Sequence, residues 1–142
     1  MKEYDVIVIG AGTGLNFVFN ALSSNMKVAL IAGDYVGGTC LNVGCVPSKM
    51  LIYPADLLMN IQNARRLGIT SEIVGIDFES IMARTRAYID QNVYRLKENL
   101  NSEKNLDFYE TEGQFVSDYT LRVNDENIRG KRIFIASGAR PF

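Results

Sequence analysis

Two cysteines, Cys40 and Cys45, are the only thiols in the 142-residue chain, and they lie in a glycine-containing stretch, residues 37–49. Their spacing and scarcity indicate that they act as a pair. A zinc site would need about four ligands, usually Cys and His, and the chain contains no histidine, so no metal site is expected. A structural disulfide would close a loop too short to restrain the unfolded chain strongly. A redox-active pair is the favoured interpretation.

The spacing of the two thiols constrains the backbone between them. Five positions along a regular α-helix span about 7.5 Å of rise, whereas a disulfide needs Cα atoms within about 6.8 Å. We therefore expect distorted or non-helical backbone between the cysteines, which Gly44 would permit. Pro47 suits the first turn of a following helix, whose positive end would stabilise a thiolate at Cys45. Lys49 either adds positive charge there or is an ordinary solvated lysine.

A glycine-rich turn precedes the thiols and could bind a dinucleotide. Residues 6–9 form a β-branched run typical of a buried parallel strand. Gly10, Gly12 and Gly14 follow, then a helical stretch and a second buried strand at residues 27–31. In such a βαβ unit the glycines let the backbone approach a pyrophosphate at the helix N-terminus. The alternative interpretation is a tight turn between packed elements.

This turn departs twice from the dinucleotide-binding fingerprint. The third glycine is expected at position 15, where the chain has Leu15, and Gly14 lies one place early. The acid that normally holds the ribose is expected near the end of the second strand, which ends at Ala32. Asp34 is the nearest acid, so we expect either that Asp34 substitutes from the loop or that the ribose is held less tightly.

The remaining pattern completes an α/β fold. Helical periodicity is followed, after residue 101, by strand periodicity. We predict a Rossmann-like domain with a parallel sheet and a small antiparallel β-meander, in an incomplete form. The predicted elements are helices at 46–67 (apolar positions Leu51, Ala55, Leu58 and Ile61) and 78–100 (apolar stripe Phe78, Met82, Ile89, Val93, Leu96 and Leu100), and strands at 106–116, 119–123, 126–129 and 131–136.

Composition excludes several classes of partner. The net charge is −1, and basic residues are interspersed with acidic ones, so neither nucleic acid nor a membrane surface is an expected partner. The N-terminal apolar run is short and follows acidic residues, unlike a secretory signal. We therefore expect a cytoplasmic protein, in which a disulfide would be transient and catalytic.

Residues 38–49 resemble the active-site signature of the class I pyridine nucleotide–disulfide oxidoreductases. Their ending, residues 47–49, is more similar to dihydrolipoyl dehydrogenases and mercuric reductases than to glutathione reductases. The resemblance continues through the whole chain, at the Gly10 turn and at residues 112–115 and 135–138. Where the family usually has threonine, this chain has Ser137, which keeps the hydroxyl.

The resemblance implies an FAD-binding domain with a redox disulfide. Cys40 would be the interchange thiol that attacks the substrate disulfide, Cys45 would be the charge-transfer thiol beside the flavin, and Lys49 would lie near the flavin. The implied cofactor-binding residues, with Asp34 as the candidate for the ribose, are Gly10, Gly12, Gly14, Asp34, Gly38, Thr39, Lys49, Gly113, Ser137 and Gly138.

The implied activity is electron transfer between FAD and the Cys40–Cys45 pair, acting on a dithiol or disulfide substrate such as dihydrolipoamide. Residues 1–142 would be the N-terminal segment of the FAD domain. The NAD(P)H domain and the dimerisation domain of a homodimeric parent would be absent, so this chain alone is not expected to turn over. The alternatives are a mercuric or low-molecular-weight disulfide reductase fragment, and a non-enzymatic thiol redox module.

Overall fold

One six-stranded mixed sheet organises the computed structural model, which describes residues 1–139. The predicted α/β class is confirmed, and the last three positions of the predicted domain, 140–142, lie outside the described residues. None of the helices in the described part is long and apolar enough to cross a membrane. The elements are β1 (Lys2–Ile9), α1 (Leu15–Ser23), β2 (Val28–Ile31), α2 (Gly38–Asn42), α3 (Cys45–Asn63), a 3₁₀ turn (Ala64–Leu67), α4 (Phe78–Ser102), β3 (Leu106–Tyr109), β4 (Gly113–Ser117), β5 (Thr120–Val123) and β6 (Glu126–Ile135).

The sheet has a parallel half and an antiparallel half. The strand order is β3-β2-β1-β6-β5-β4; the first four strands are parallel, and β6, β5 and β4 form the predicted meander. In the parallel half Val8 pairs with Leu30 on one side and Phe134 on the other. Parallel strands covered on both faces need continuous apolar runs, and β1 and β2 supply them.

The predicted strand at 106–116 is wrong as a single element. It divides into β3 and β4, which lie at opposite edges of the sheet. β3 pairs in parallel with β2, whereas β4 pairs antiparallel with β5. The apolar residues of both pieces carry strand propensity, but propensity does not specify the partner strand.

The predicted strands at 126–129 and 131–136 are one continuous strand, β6. Residues 126–129 pair with β5, and residues 128–135 pair with β1. Gly130 lies where the two predicted strands meet, and a Cβ there would come within 2.8 Å of the Ile7 side chain. The glycine therefore marks close packing against β1 rather than a break in the strand.

Two apolar clusters cover the two faces of the sheet. α1 and α4 contribute to the first, in which Val18 and Leu100 are fully buried. The meander covers the second, where Leu121 and Ile128 pack with Ile7. The meander thus replaces helices on this face.

A chain of hydrogen bonds borders the second cluster. The buried Tyr4 hydroxyl donates to the Asp107 carboxylate over 2.5 Å and lies 2.7 Å from the Tyr109 hydroxyl. Tyr109 donates to Glu126, which also pairs with Lys2 at 3.0 Å. Burial first, and then the hydrogen bond to Asp107, raise the pKa of Tyr4. The network links β1, β3 and the start of β6.

The helices form in the predicted ranges, but some of the apolar positions predicted to be packed are exposed. α3, its 3₁₀ turn and α4 match the predicted ranges closely. α3, however, has no fully buried residue, and Ala55 is exposed. Phe78, the first residue of the predicted α4 stripe, is 63% exposed, whereas Leu100 at its other end is buried. The periodicity identifies an apolar face, but not what covers it.

Candidate flavin and thiol site

The turn after β1 closes tightly around Gly10. Its N–H donates to the Ile31 carbonyl over 2.8 Å, which ties the turn to the end of β2. Its φ of +106° favours glycine. A Cβ at Gly10 would lie 2.1 Å from the Ala136 carbonyl oxygen and 3.1 Å from Ser137 Cα. The carboxyl ends of β1, β2 and β6 therefore meet here.

The N-terminus of α1 presents free backbone donors. The N–H groups of Gly12, Thr13 and Gly14 donate no hydrogen bond to another residue within 1–139. Together with the positive end of the α1 dipole they suit a pyrophosphate. A Cβ at Gly14 would lie 2.1 Å from the Gly10 carbonyl oxygen, so Gly14 has the close approach that the fingerprint assigns to its third glycine. Leu15 instead packs partly buried against the first cluster.

The two cysteines lie on separate helices, as the spacing argument requires. Cys40 lies within the short helix α2, and Cys45 is the first residue of α3. Val43 and Gly44 break the helix between them. A Cβ at Gly44 would come within 2.9 Å of the Thr39 carbonyl oxygen. Glycine at this position thus lets the two helix ends approach each other.

The two thiols are exposed and unbridged. A hydrogen bond with the Cys45 side chain is the main reason that the pKa of the Cys40 thiol is raised, and desolvation adds to it. The charge of Lys49, one turn along α3, acts in the opposite direction and lowers the pKa of Cys40. Cys40 therefore holds its proton more tightly than an isolated cysteine.

A glycine-to-glycine contact joins the thiol pair to the glycine turn. A Cβ at Gly38, the first residue of α2, would lie 2.6 Å from Gly12 Cα, and a Cβ at Gly12 would lie 3.3 Å from Gly38 Cα. The Gly37 N–H also donates to the Ala11 carbonyl over 2.8 Å. Helix α2 thus packs backbone to backbone on the turn that would hold a pyrophosphate.

Asn42 is a site residue that sequence reasoning missed. Its side-chain amide donates to the Val36 carbonyl over 3.1 Å and to the Gly38 carbonyl over 2.8 Å. These bonds fold the loop before α2 back onto the helix that carries Cys40. The available signal was an amide residue between two closely spaced cysteines, a position where side-chain-to-backbone bonds commonly define local geometry.

The other predicted cofactor residues lie along the same edge of the sheet. Gly113 opens β4, and a Cβ there would come within 3.2 Å of Ile31 Cδ1. Ser137 and Gly138 follow β6, and Gly138 has φ +85°. Asp34 is exposed in the loop after β2. Within residues 1–139 there is no group of three or more His, Cys, Asp or Glu side chains that could hold a metal ion.

Comparison with known proteins identifies the family to which this chain belongs. The family model "Pyridine nucleotide-disulphide oxidoreductase" matches residues 4–142. The chain belongs to this family. The similarity extends over almost all of the sequence, so the turn, the thiol pair and the meander all belong to the shared unit.

Curated relatives include enzymes with different substrates. Mycothione reductase of Mycobacterium tuberculosis is 31% identical over 99% of this chain and 32% of its own length. Dihydrolipoyl dehydrogenase of Chlamydia pneumoniae is 33% identical over 99% of this chain and 31% of its own length. The chain therefore spans about a third of the length of the curated relatives it matches.

A solved structure gives the same fold. The HOCl-induced flavoprotein disulfide reductase RclA from Escherichia coli superposes with a TM-score of 0.79 at 26% identity, over 98% of this chain and 29% of that chain. That protein is described as a flavoprotein, and the features found here fit a dinucleotide. A Cβ at Gly10 or Gly14 would collide with backbone, and one at Gly12 would be tight against Gly38. The N–H groups of Gly12, Thr13 and Gly14 have no partner within residues 1–139 and could donate to phosphate oxygens.

Proposed function

We propose that this chain is the flavin-binding and thiol-bearing part of an FAD-dependent disulfide oxidoreductase. The contact between Gly12 and Gly38 carries the proposal, because it joins the turn suited to a pyrophosphate to the helix that bears Cys40. Gly10, Gly12 and Gly14 would hold the pyrophosphate, while Gly38, Thr39, Gly113, Ser137 and Gly138 would line the cofactor. When bound, the flavin supplies a two-electron carrier next to the thiols.

The thiol pair is suited to two-electron exchange. Oxidation of both thiols forms one S–S bond and releases two protons and two electrons, and reduction reverses each change. A flavin held beside the pair would be the acceptor of the two electrons. The Cys45 side chain is the largest influence on the pKa of Cys40, which supports a close approach of the two thiols.

Cys40 would exchange with the substrate, and Cys45 would face the flavin. A thiolate is the attacking species in thiol–disulfide exchange. A raised pKa leaves less of Cys40 as thiolate, so a base nearby would assist the attack, and the chain contains no histidine to serve as one. The base, the NAD(P)H site and the dimer contacts would belong to a longer homodimeric parent, and residues 1–142 alone would not turn over.

A dithiol or disulfide such as dihydrolipoamide is the proposed substrate, and Lys49 is a proposed member of the active site. A low-molecular-weight disulfide is the alternative substrate, since the mycothione reductase is almost as similar as the dihydrolipoyl dehydrogenase. Mercuric ion is a further alternative, because two exposed thiols five positions apart suit a soft cation.

Flavin binding and reduction test the proposal directly. The purified chain, reconstituted with FAD and treated with a dithiol, should develop a long-wavelength thiolate-to-flavin absorption band. Cys45→Ser should abolish the band, and Cys40→Ser should retain it. A chain that takes up no FAD, or a band that depends on Cys40 instead, would contradict the assignment. The inactivity claim would fail if the chain alone reduced lipoamide with NADH.

A further inference from the structure

The end of β2 offers no carboxylate to a ribose. Ala32 occupies the place where the dinucleotide fingerprint expects an acid. It is only 6% exposed, belongs to the first apolar cluster, and donates its N–H to the Tyr109 carbonyl over 3.0 Å. A carboxylate for the ribose must therefore come from another segment.

Three acidic residues follow the ends of β2 and β3. Glu110 is paired with Lys97 of α4 and is already engaged. Asp34 lies two residues beyond Ala32 in an exposed loop. Glu112 is exposed, and within residues 1–139 its carboxylate has neither a hydrogen bond nor an ion pair. Two candidates therefore remain, Asp34 and Glu112.

Glu112 lies beside the residue that directly follows Ala32. A Cβ at Gly33 would be in van der Waals contact with Glu112 Cγ at 3.7 Å, and the Glu112 backbone nitrogen would lie 3.9 Å away. The stem of the glutamate thus runs along the backbone just past the end of β2.

Packing of the next residue holds Glu112 at this place. A Cβ at Gly113 would come within 3.2 Å of both Ile31 Cδ1 and Leu121 Cδ2, so the backbone of Gly113 packs directly on the last residue of β2. This contact holds the β3–β4 connection against the carboxyl end of the strand, the edge at which open α/β sheets bind their ligands.

We propose that Glu112 replaces the missing strand-end acid and accepts hydrogen bonds from the ribose hydroxyls at the adenosine end of the dinucleotide. The inference rests on the proposed FAD-binding function. A glutamate from the neighbouring connection would thus supply the acceptor that Ala32 lacks, with its stem in contact distance of Gly33.

Paired ligands with and without ribose hydroxyls test the assignment. Calorimetric titration of the chain with ADP and with 2′,3′-dideoxy-ADP measures what the hydroxyls contribute. Glu112→Gln should weaken ADP binding about tenfold or more, as expected for loss of a charged hydrogen-bond acceptor. The same substitution should leave dideoxy-ADP binding unchanged. Asp125→Asn, which removes an exposed charge from the β5–β6 turn, should affect neither ligand.

The remaining outcomes separate this inference from the proposed function. Loss of ADP affinity in Asp34→Asn, with Glu112→Gln unchanged, would transfer the role to Asp34 and overturn the inference. Equal binding of ADP and dideoxy-ADP by the wild-type chain would overturn it as well, although the dinucleotide site would stand. A wild-type chain that binds neither ADP nor FAD would overturn the proposed function, and the inference with it.

Discussion

Substitution of Gly38 by alanine tests the contact that joins the thiol pair to the glycine turn. The new Cβ would lie 2.6 Å from Gly12 Cα, about 0.8 Å closer than ordinary contact. Gly12 Cα is a backbone atom, so it cannot move aside as a flexible side chain could. An overlap of this kind costs about 1–3 kcal/mol. The left-handed φ of +69° adds about 1–2 kcal/mol for a residue with a Cβ. The expected loss in free energy of unfolding is therefore about 2–5 kcal/mol, with weaker FAD binding.

Two glycines provide matched controls for this substitution. Gly68 has a similar φ of +80°, but no atom of the described residues lies within 4 Å of its Cβ position, so Gly68→Ala should cost only the backbone component, about 1–2 kcal/mol. Gly75 does not have a left-handed φ, and its Cβ position has no contact within 4 Å, so Gly75→Ala should be nearly neutral. Urea unfolding followed by circular dichroism gives all three values. Equal losses for Gly38→Ala and Gly68→Ala would refute the contact.

Three further changes probe the thiols, a helix cap and the buried tyrosine. Cys45→Ala removes the hydrogen bond that raises the pKa of Cys40, so alkylation of Cys40 by iodoacetamide should reach half-maximal rate at lower pH than in wild type. Asp77 caps α4, and hydrogen bonds lower its pKa; Asp77→Ala should lower the melting temperature at neutral pH, and this difference should shrink as pH falls below about 4. Tyr4→Phe removes the hydroxyl that bonds Asp107 and should cost about 1–3 kcal/mol. Because the pKa of Tyr4 is raised, wild type should lose stability as pH rises above about 10, and Tyr4→Phe should lose less over the same range.

The sequence predicted those helices and strands that have a clear local pattern of apolar residues. The β-branched runs of β1 and β2 and the helical periodicity of α4 each carry their own signal. β2 and α4 form within two residues of the predicted bounds, whereas β1 begins at Lys2, four residues before the predicted strand at 6–9. Gly44 was expected to break the helix between the cysteines because a disulfide cannot span five helical positions. The structure shows that break. The short helix α2 was missed, since five residues opened by glycine give no periodicity to detect.

Long-range pairing accounts for the errors. Residues 106–116 look like one strand because nothing in their sequence shows that β3 pairs with β2 while β4 joins β5 at the far edge. The prediction of two strands on either side of Gly130 was wrong for a related reason. Close packing against Ile7 favours glycine at this position, and Ile7 lies more than 120 positions earlier in the chain. The sequence likewise did not predict the contact between Gly12 and Gly38, although it indicated that both glycines bind the cofactor.

That backbone contact also couples two equilibria. Closing or opening the Cys40–Cys45 pair acts on α2, and α2 rests on Gly12 through Gly38. By thermodynamic reciprocity, any factor by which formation of the disulfide changes affinity for the dinucleotide is also the factor by which the bound dinucleotide changes the equilibrium between dithiol and disulfide. Under the proposed function, the reduction potential of the pair would depend on the occupant of the glycine turn as well as on the thiols, and a potential measured on the cofactor-free chain would differ from that of the loaded chain by this factor.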